Sequence, residues 1–194
     1  MKTCDLLRLD HFRAFDTYCV IPAGDENARR GKWEVGPGSE FFDALYKKYP
    51  SIKLIAEDLG DLFPSVLELR DKYSLPGMYI VEFTIFDTKA MSTNRQIVYP
   101  GTHDNQTLMG WLKTLPEENI KYLKVKFGEN VDLFEAVFKY ILSLPSYMTI
   151  FQYQDLLKLD DKARINYPGT IGDPNWCFKL DKLDTNLKLD CSLS

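Results

Sequence analysis

Charged and apolar side chains are closely mixed in "RLDHFRAFD", residues 8–16, near the start of this 194-residue chain. Alternation along an extended strand places Arg8 and Asp10 on the same side, two residues apart. An arginine beside an aspartate favours the ionised carboxylate over the neutral acid. The stretch therefore predicts a carboxylate that stays charged in a partly dry site.

Acidic residues also follow two other predicted strands. Asp10, Glu57 and Asp104 each lie at or just past the C-terminal end of a short apolar segment. In a (β/α) barrel this end of the strands carries the active site, so the three carboxylates would converge on one pocket. Their mutual repulsion would have to be offset by cations or hydrogen bonds, for which Arg8 and His103 are the candidates.

A single acid at a strand end more often caps a helix or lies in a solvated turn. Asp58 illustrates this, because it neighbours Glu57, points to the other side of an extended strand and could cap the next turn. Asp16, Asp43 and Asp87 have the same surface or capping character. Spacing alone therefore leaves both interpretations of the acids open.

Short apolar strands alternate with amphipathic helices along the chain. The predicted strands are 6–12, 52–58, 77–86, 95–104 and part of 146–157. The predicted helices are 40–49, 63–74, a helical region that begins at 106–115 and continues through 130–144, and a short helix within 146–157. Ser39 is a possible N-cap, Pro64 suits a first helical turn, and 24–38 is predicted to be a long loop. Strands that are apolar on both faces suit a parallel sheet covered by helices. This pattern predicts an α/β fold, either a (β/α) barrel or a doubly wound sheet.

Composition limits the classes of function. With 45% hydrophobic and 27% charged residues, the chain is typical of a soluble, globular protein of one domain. A net charge of −4 without a basic stripe gives no reason to expect nucleic acid. The chain has no run of eighteen apolar residues and no signal-like N-terminus, so neither a membrane nor a secreted protein is indicated.

The spacing of the cysteines and the number of histidines further limit the classes of site. The four cysteines, Cys4, Cys19, Cys177 and Cys191, show no C-x-x-C spacing and are typical of free thiols in the cytoplasm. Two histidines are too few for a His-rich metal site. No G-x-G-x-x-G follows a strand and no G-x-x-x-x-G-K is present, so nucleotide binding by those motifs is not indicated.

Five sequence blocks, in order, give a more specific indication. They are "LLRLDHFRAF", "GKWEVGPGSEFFDAL", "LIAEDLGDLFPSVLELRDKYSLPGM", "YPGTHDNQTLMGW" and "YQDLLKLDDKARINYPGTIGDPNW". Together they resemble successive blocks of the 4-α-glucanotransferases (amylomaltases or disproportionating enzymes) of the α-amylase superfamily. The resemblance covers roughly residues 5–180 and implies a (β/α)8 TIM barrel that acts on maltooligosaccharides without a metal or organic cofactor.

The resemblance also implies roles for individual residues. By it, Asp10 matches the nucleophile, Glu57 the general acid/base and Asp104 the transition-state stabiliser of a retaining glycosyl transfer. Arg8 and His103 match residues that contact the sugar or the nucleophile. Asn166 matches a further sugar-contacting position. The aromatic residues Trp33, Tyr18 and Phe12 could stack on glucose or serve as ordinary anchors of the core and loops.

Chain length and reaction type leave alternatives open. The family enzymes are longer, so we expect residues 1–194 to form the C-terminal portion of the barrel, about five strands in a single domain. A 4-α-glucanotransferase is the first interpretation, and an α-1,4-glucan hydrolase or a catalytically inactive remnant are the alternatives. The chain would then pair with a missing N-terminal half or with another copy of itself.

Overall fold

The computed structural model describes residues 4–60 and 62–180. The chain divides into two compact units, Met1–Met78 and Tyr79–Ser194, and the division falls within one strand. Residue Cys191 lies outside the described residues. Cys19 and Cys177 are free thiols, as their spacing predicted.

Two parallel strands organise the first unit. Strand β1 (Leu7–Leu9) pairs with β4 (Leu54–Ala56) in parallel, with Arg8 opposite Ile55. Helices α1 (Gly38–Lys48) and α2 (Pro64–Lys72) follow in the chain. Pro64 does begin α2, whereas α1 is capped by Pro37 and includes the predicted cap Ser39 in its first turn. Helix α1 stops at Tyr49 because Pro50 follows.

The core of the first unit forms where the apolar faces of these elements meet. Phe42 of α1 and Phe12, in a short 3-10 turn at Phe12–Phe15, are both fully buried with ring centroids 5.8 Å apart. The buried members of this cluster are Phe12, Phe42, Leu54, Ala56, Val66, Leu69 and Leu75. The cluster includes Leu54 and Ala56 of β4, and Leu9 of β1 packs against it. Its packing therefore fixes the positions of the residues that follow these two strands.

The predicted loop at 24–38 contains regular structure. Its residues Lys32–Val35 form strand β3, which pairs antiparallel with β2 (Thr17–Val20). The intervening turn includes a short 3-10 segment, Ala28–Arg30, capped by the side chain of Asn27. The prediction of a loop was wrong here because the glycines and charges flanking "KWEV" mask a four-residue strand whose partner lies outside the segment.

The second unit contains a small sheet and most of the helices. The sheet order is β5 (Gly77–Ile80), β6 (Gln96–Tyr99) and β7 (Met148–Thr149), with β6 and β7 parallel. The helices are α3 (Val81–Thr84), α4 (Leu108–Thr114), α5 (Glu117–Phe127), α6 (Leu133–Ser143) and α7 (Tyr153–Leu156). Their apolar faces build one core, which includes Val98, Leu108, Trp111, Leu123, Val137 and Ile141.

Two predicted elements of this unit are divided in the structure. The segment predicted as strand 77–86 is a strand as far as Ile80 and then turns into helix α3. The helical region after residue 106 is three helices, because Pro116 begins a new helix and Gly128, at φ +118°, ends it. Five of the seven described strands, all except the hairpin β2–β3, lie within the predicted strand segments. None of the helices among the described residues is long and apolar enough to cross a membrane.

Candidate active site

The register of β1 and β4 places Asp10 and Glu57 at neighbouring positions. Leu9 is opposite Ala56 in the parallel pair, so Asp10 and Glu57 each follow directly after the last paired residue. The main chains stay bonded beyond the strands, because Glu57 N donates to Leu9 O (3.0 Å) and Phe12 N donates to Glu57 O (3.1 Å). The two carboxylates therefore emerge from the C-terminal ends of adjacent parallel strands, as the sequence predicted.

Arg8 forms the ion pair that the alternation predicted. Its Nη1 donates to Asp10 Oδ1 at 2.6 Å, and its Nε lies 3.4 Å from Met78 Sδ. The Asp10 side chain is 71% exposed and the Arg8 side chain 27%, so the carboxylate faces the open side while the arginine stem is packed. This arrangement presents a charged carboxylate to an incoming ligand and holds it from one side.

The Glu57 carboxyl is more buried than that of Asp10. Its Oε2 accepts a hydrogen bond from His11 N at 2.7 Å, and the Leu59 main chain also bonds it. Burial is the largest influence and raises the pKa of Glu57, and the charge of Asp10 raises it further. Arg8 and the two main-chain bonds act in the opposite direction. Two adjacent carboxyls in unlike environments are the arrangement by which proteins separate an acid from a nucleophile.

His11 contributes through its main chain. It has φ +50° and ψ +52°, a left-handed conformation that is uncommon outside glycine but is enriched in asparagine, aspartate and histidine. In this conformation the His11 N–H donates to Glu57 Oε2. His11 entered the sequence-based predictions only in the count of metal ligands, and the enrichment of histidine at positive φ is too weak a signal to predict a left-handed backbone at one position.

Asp58 is a structural residue of the first unit, but not the turn cap that its position suggested. It is buried, and its Oδ1 accepts from Met78 N at 2.7 Å while its Oδ2 accepts from Arg70 Nη1 at 2.5 Å. Gly77 permits this approach, since a Cβ there would lie 2.3 Å from Asp58 Oδ2. Asp58 thus ties the end of β4, next to Glu57, to α2 and to the start of β5.

The second unit brings together the other three predicted site residues. Asn166 Nδ2 donates to Asp104 Oδ1 at 2.6 Å, and His103 Nε2 lies 3.4 Å from the same oxygen. The main chains are joined as well, because Asn166 N donates to His103 O at 3.1 Å. Asp104, His103 and Asn166 therefore form one polar cluster, although 62 residues separate Asp104 from Asn166.

Two residues that the sequence analysis did not single out hold this cluster. Arg164 donates from Nη2 to Asp104 O at 2.7 Å and from Nε to Asn166 O at 2.8 Å. The Trp176 ring lies against the His103 imidazole, with centroids 5.1 Å apart. Arg164 is part of the quoted block "ARINYPGT", so proximity to Asn166 in sequence was an available signal. The Trp176 contact depends on tertiary structure.

The aromatic residues that could stack on glucose or anchor the core and loops differ in their exposure. Phe12 is completely buried and is a core residue, not a sugar platform. Trp33 is 54% exposed, but the Arg13 guanidinium lies over its ring, 4.2 Å from the centroid. Among residues 4–60 and 62–180, no three His, Cys, Asp or Glu side chains are grouped so as to hold a metal ion.

Comparison with known proteins decides the family. A family model described as 4-alpha-glucanotransferase matches residues 1–185. This chain belongs to the 4-alpha-glucanotransferase family. It is 35% identical over 188 residues to a 4-alpha-glucanotransferase of Streptococcus pneumoniae, covering 92% of this chain and 37% of the relative. It is 39% identical over 183 residues to the chloroplastic/amyloplastic 4-alpha-glucanotransferase of Arabidopsis thaliana, covering 89% of this chain and 31% of the relative.

A solved structure shows the type of fold. The amylomaltase of Streptococcus agalactiae, determined in complex with acarbose, matches with a TM-score of 0.82 at 34% identity. The match covers 90% of this chain and 37% of that one. This family member therefore has the α/β fold of a TIM-barrel enzyme, as the sequence predicted, and spans about a third of the length of the relatives it matches.

Proposed function

We propose that this chain carries the catalytic carboxylates of a 4-α-glucanotransferase, which transfers α-1,4-glucan segments between maltooligosaccharides by a retaining mechanism. The observation that carries the proposal is the pair at the ends of β1 and β4. Asp10 is exposed and paired with Arg8, whereas the pKa of Glu57 is raised by burial. Membership of the family supports the reaction class, and the geometry of this pair supports the proposed roles.

In the proposed first step, an Asp10 carboxylate oxygen attacks the anomeric carbon of the donor glucan. The glycosidic C–O bond breaks, and the proton of Glu57 passes to the departing sugar oxygen. The product is a covalent glycosyl-enzyme and a shortened glucan. The raised pKa of Glu57 favours the protonated form that this step needs, since an acid must hold its proton until the bond breaks.

In the second step, the 4-hydroxyl of an acceptor sugar attacks the glycosyl carbon and Glu57 accepts the hydroxyl proton. The bond to Asp10 breaks and the carboxylate is restored, so configuration at the anomeric carbon is retained. If water replaces the acceptor, the same chemistry is hydrolysis. Transfer and hydrolysis therefore differ in the attacking nucleophile and not in the carboxylates.

Asp104 is proposed to stabilise the oxocarbenium-like transition state through hydrogen bonds to sugar hydroxyls. Stabilisation that strengthens as the ring flattens lowers the barrier, whereas equal binding of substrate and transition state does not. The Asn166 and His103 contacts support this role, because they hold one carboxylate oxygen and leave the other available. Arg8, His103 and Asn166 are proposed to contact the sugar or to orient the carboxylates.

We further propose that residues 1–194 form one domain, the C-terminal part of a (β/α)8 barrel with about five of its strands. This number is supported by the parallel pair β1–β4 and by the sheet β5–β6–β7, in which β6 and β7 are parallel. A cytoplasmic location is proposed from the free thiols of Cys19 and Cys177, which suit a reducing compartment.

The test is a graft of this chain into a longer relative. The matched 188-residue segment of the Streptococcus pneumoniae 4-alpha-glucanotransferase is replaced by this chain, and the purified hybrid is incubated with maltotriose. We expect a ladder of longer and shorter maltooligosaccharides. Glucose and maltose without longer products would instead identify a hydrolase.

Matched variants of the hybrid test the roles. Asp10→Asn and Asp104→Asn should each abolish the ladder, while Glu26→Gln, an exposed acid outside the clusters described above, should leave it unchanged. Asp10→Asn keeps the side-chain shape but removes the attacking charge. If this variant retained more than about a tenth of the rate, equivalent to a barrier increase of under about 1.4 kcal/mol, Asp10 would not be the nucleophile.

A further inference from the structure

Glu82 is a largely buried acid that neither the sequence prediction nor the proposed mechanism uses. It follows directly after β5, in the first turn of α3. Its N–H donates to Pro100 O at 3.0 Å, which joins the end of β5 to the segment after β6 that carries Asp104. Its Oε1 is buried and has no hydrogen-bond partner within the part of the chain that the structure describes.

The Glu82 carboxyl bonds to the side chain of Asn105, next to Asp104. Asn105 in turn closes the loop, because its Oδ1 accepts from Thr102 N at 2.8 Å and from Thr102 Oγ1 at 2.9 Å. These two bonds occupy the carbonyl side of the amide and leave its NH2 group for Glu82. Glu82 thus contacts Asn105, and Asn105 contacts Thr102. Asp104 is part of the loop that these contacts close, between Thr102 and Asn105 in the sequence.

Gly101 makes this contact sterically possible. A Cβ at residue 101 would lie 2.8 Å from Glu82 Oε1 and 2.8 Å from Asn105 Cβ, closer than real Cβ atoms approach. The loop backbone therefore passes directly over the Glu82 carboxyl. Because of this close approach, any change in the size or hydration of that carboxyl would displace the loop backbone.

Like charges surround Glu82. The charged groups acting on it are Asp155 of α7, Asp161 of the 3-10 turn Asp161–Ala163, and the compensating Arg164. Burial, together with the two aspartates, raises the pKa of Glu82 to about 9. A buried oxygen without a hydrogen-bond partner costs much less in a neutral acid than in a carboxylate. At neutral pH the side chain is therefore an uncharged carboxylic acid.

We propose that Glu82 is a positioning residue that holds Asn105 and thereby sets the main-chain position of Asp104. The part concerning catalysis rests on the proposed role of Asp104. The part concerning the loop does not, because the contacts exist whatever reaction the protein performs. Ionisation of Glu82 would draw water or a cation toward the buried oxygen and displace Gly101 and Asn105.

Nuclear magnetic resonance of the 194-residue chain tests the loop contact without requiring activity. The side-chain amide of Asn105 and the main-chain amide of Thr102 are followed from pH 6 to pH 10 in the wild type, Glu82→Gln and the exposed control Glu118→Gln. We expect both signals of the wild type and the control to shift together with a midpoint near pH 9. In Glu82→Gln they should stay at the wild-type neutral-pH positions throughout.

Wild-type signals that do not move between pH 6 and pH 10, or that move equally in Glu82→Gln, would overturn the proposal. Glu82→Ala is a further test, since it should displace both signals already at pH 7. Should Glu82→Ala fail to fold, the comparison of wild type with Glu82→Gln still decides, because it involves no loss of packing volume.

Kinetics of the grafted enzyme separate positioning from bulk stability. Glu82→Gln should keep kcat within about twofold at pH 7 and reduce the loss of kcat as the pH rises toward 9, to which deprotonation of Glu57 also contributes, whereas Glu82→Ala should lower kcat at least tenfold with little change in KM. A merely structural residue would lower the amount of folded enzyme and leave kcat per folded molecule unchanged. If the graft shows no transfer while the Asn105 signal titrates as expected, the proposed function fails and the loop contact stands.

Discussion

At the residue scale, the environment of Glu57 determines which step it can assist. Burial raises its pKa, while His11 N–H and Arg8 restrain the rise. A general acid is needed most when the leaving sugar oxygen is a poor leaving group, because protonation then contributes most to bond breaking. The protonated state of Glu57 should therefore matter unequally for different donors.

We expect Glu57→Gln in the grafted enzyme to cripple transfer from maltotriose but to spare the first step with a glucosyl donor that has a good leaving group. Burst-phase release of that leaving group measures the first step directly. Glu26→Gln serves as the exposed control. An equal loss on both donors would contradict the acid/base role and indicate that Glu57 is needed for structure.

Which site residues could be predicted depended on the kind of contact involved. Arg8 and Asp10 follow from strand alternation, a local rule, and their ion pair was predicted correctly. Glu82 and Arg164 contact the Asp104 loop through folding across 23 and 60 residues, respectively, and no local pattern encodes such a pairing. The left-handed backbone at His11 was not predicted because it accompanies a contact between His11 N and the Glu57 carboxylate, which lies 46 residues away in the sequence.

At the element scale, a buried ion pair fixes β4 against its neighbours. Asp58 joins the end of this strand to Arg70 of α2 and to Met78 N in β5, and its side chain is 4% exposed. Arg70 also pairs with Asp71, whose side chain is 51% exposed. One arginine thus has a buried and an exposed acidic partner, which provides a matched comparison.

We expect Asp58→Ala to lower the free energy of unfolding by about 3 kcal/mol, because it leaves a largely buried guanidinium and a buried N–H without their partner. Asp71→Ala should cost less than about 1 kcal/mol, since exposed pairs are screened by water. Urea denaturation of the two variants and the wild type gives both values. Similar losses of unfolding free energy in the two variants would show that the buried contacts of Asp58 contribute no more to stability than the exposed Arg70–Asp71 pair does.

The elements that were predicted incompletely share a physical cause. Residues 32–35 form a strand because Thr17–Val20 pairs with them, and a four-residue strand has too few alternating positions to stand out among glycines. The strand predicted for 77–86 ends at Ile80 because the chain turns into α3 while still apolar, and periodicity cannot separate a short buried strand from a buried helical turn. Longer amphipathic segments such as α1 and α6 were predicted within a few residues.

At the scale of the whole molecule, buried acids make stability depend on pH. The pKa of Glu82 is raised to about 9 and that of Asp155 to about 6, in each case mainly by burial. Since the folded state binds these protons more tightly than the unfolded chain, the stability they contribute is complete below the unfolded pKa values and is lost as the pH rises. The contribution of Asp155 to stability is lost between the ordinary pKa of an aspartate and about pH 6. The contribution of Glu82 continues to be lost up to about pH 9.

We therefore expect the free energy of unfolding to fall between pH 6 and pH 9, by at most about 1.4 kcal/mol per pH unit from Glu82. Glu82→Gln should be the more stable protein at pH 8 and should lack this part of the slope, because an amide takes up no proton. Urea denaturation at pH 6, 7, 8 and 9 checks the slope. A slope that is unchanged in Glu82→Gln would show that Glu82 is ionised in the folded protein.

Exposed apolar side chains and open strand edges characterise the surface of the chain. Val35 is 84% exposed on β3, while Phe83 is 61% and Met91 81% exposed in the second unit. Among the described strands, the outer strands of the two sheets that contain parallel pairs, β1 and β4 in one and β5 and β7 in the other, each pair on one side only within their sheet. Apolar patches and free strand edges are the features by which chains associate.

We expect the isolated 194-residue chain to associate with itself at micromolar concentration and to show no disproportionation of maltotriose overnight. The reason is that association covers the exposed apolar side chains and edges, while it does not supply the further strands that the proposed partial barrel would need for closure. Light scattering after size-exclusion chromatography should give the mass of two or more copies, and Val35→Lys should lower it relative to the wild type, whereas Glu118→Gln should not. A compact monomer that builds an oligosaccharide ladder would show that these residues suffice for both the fold and the reaction.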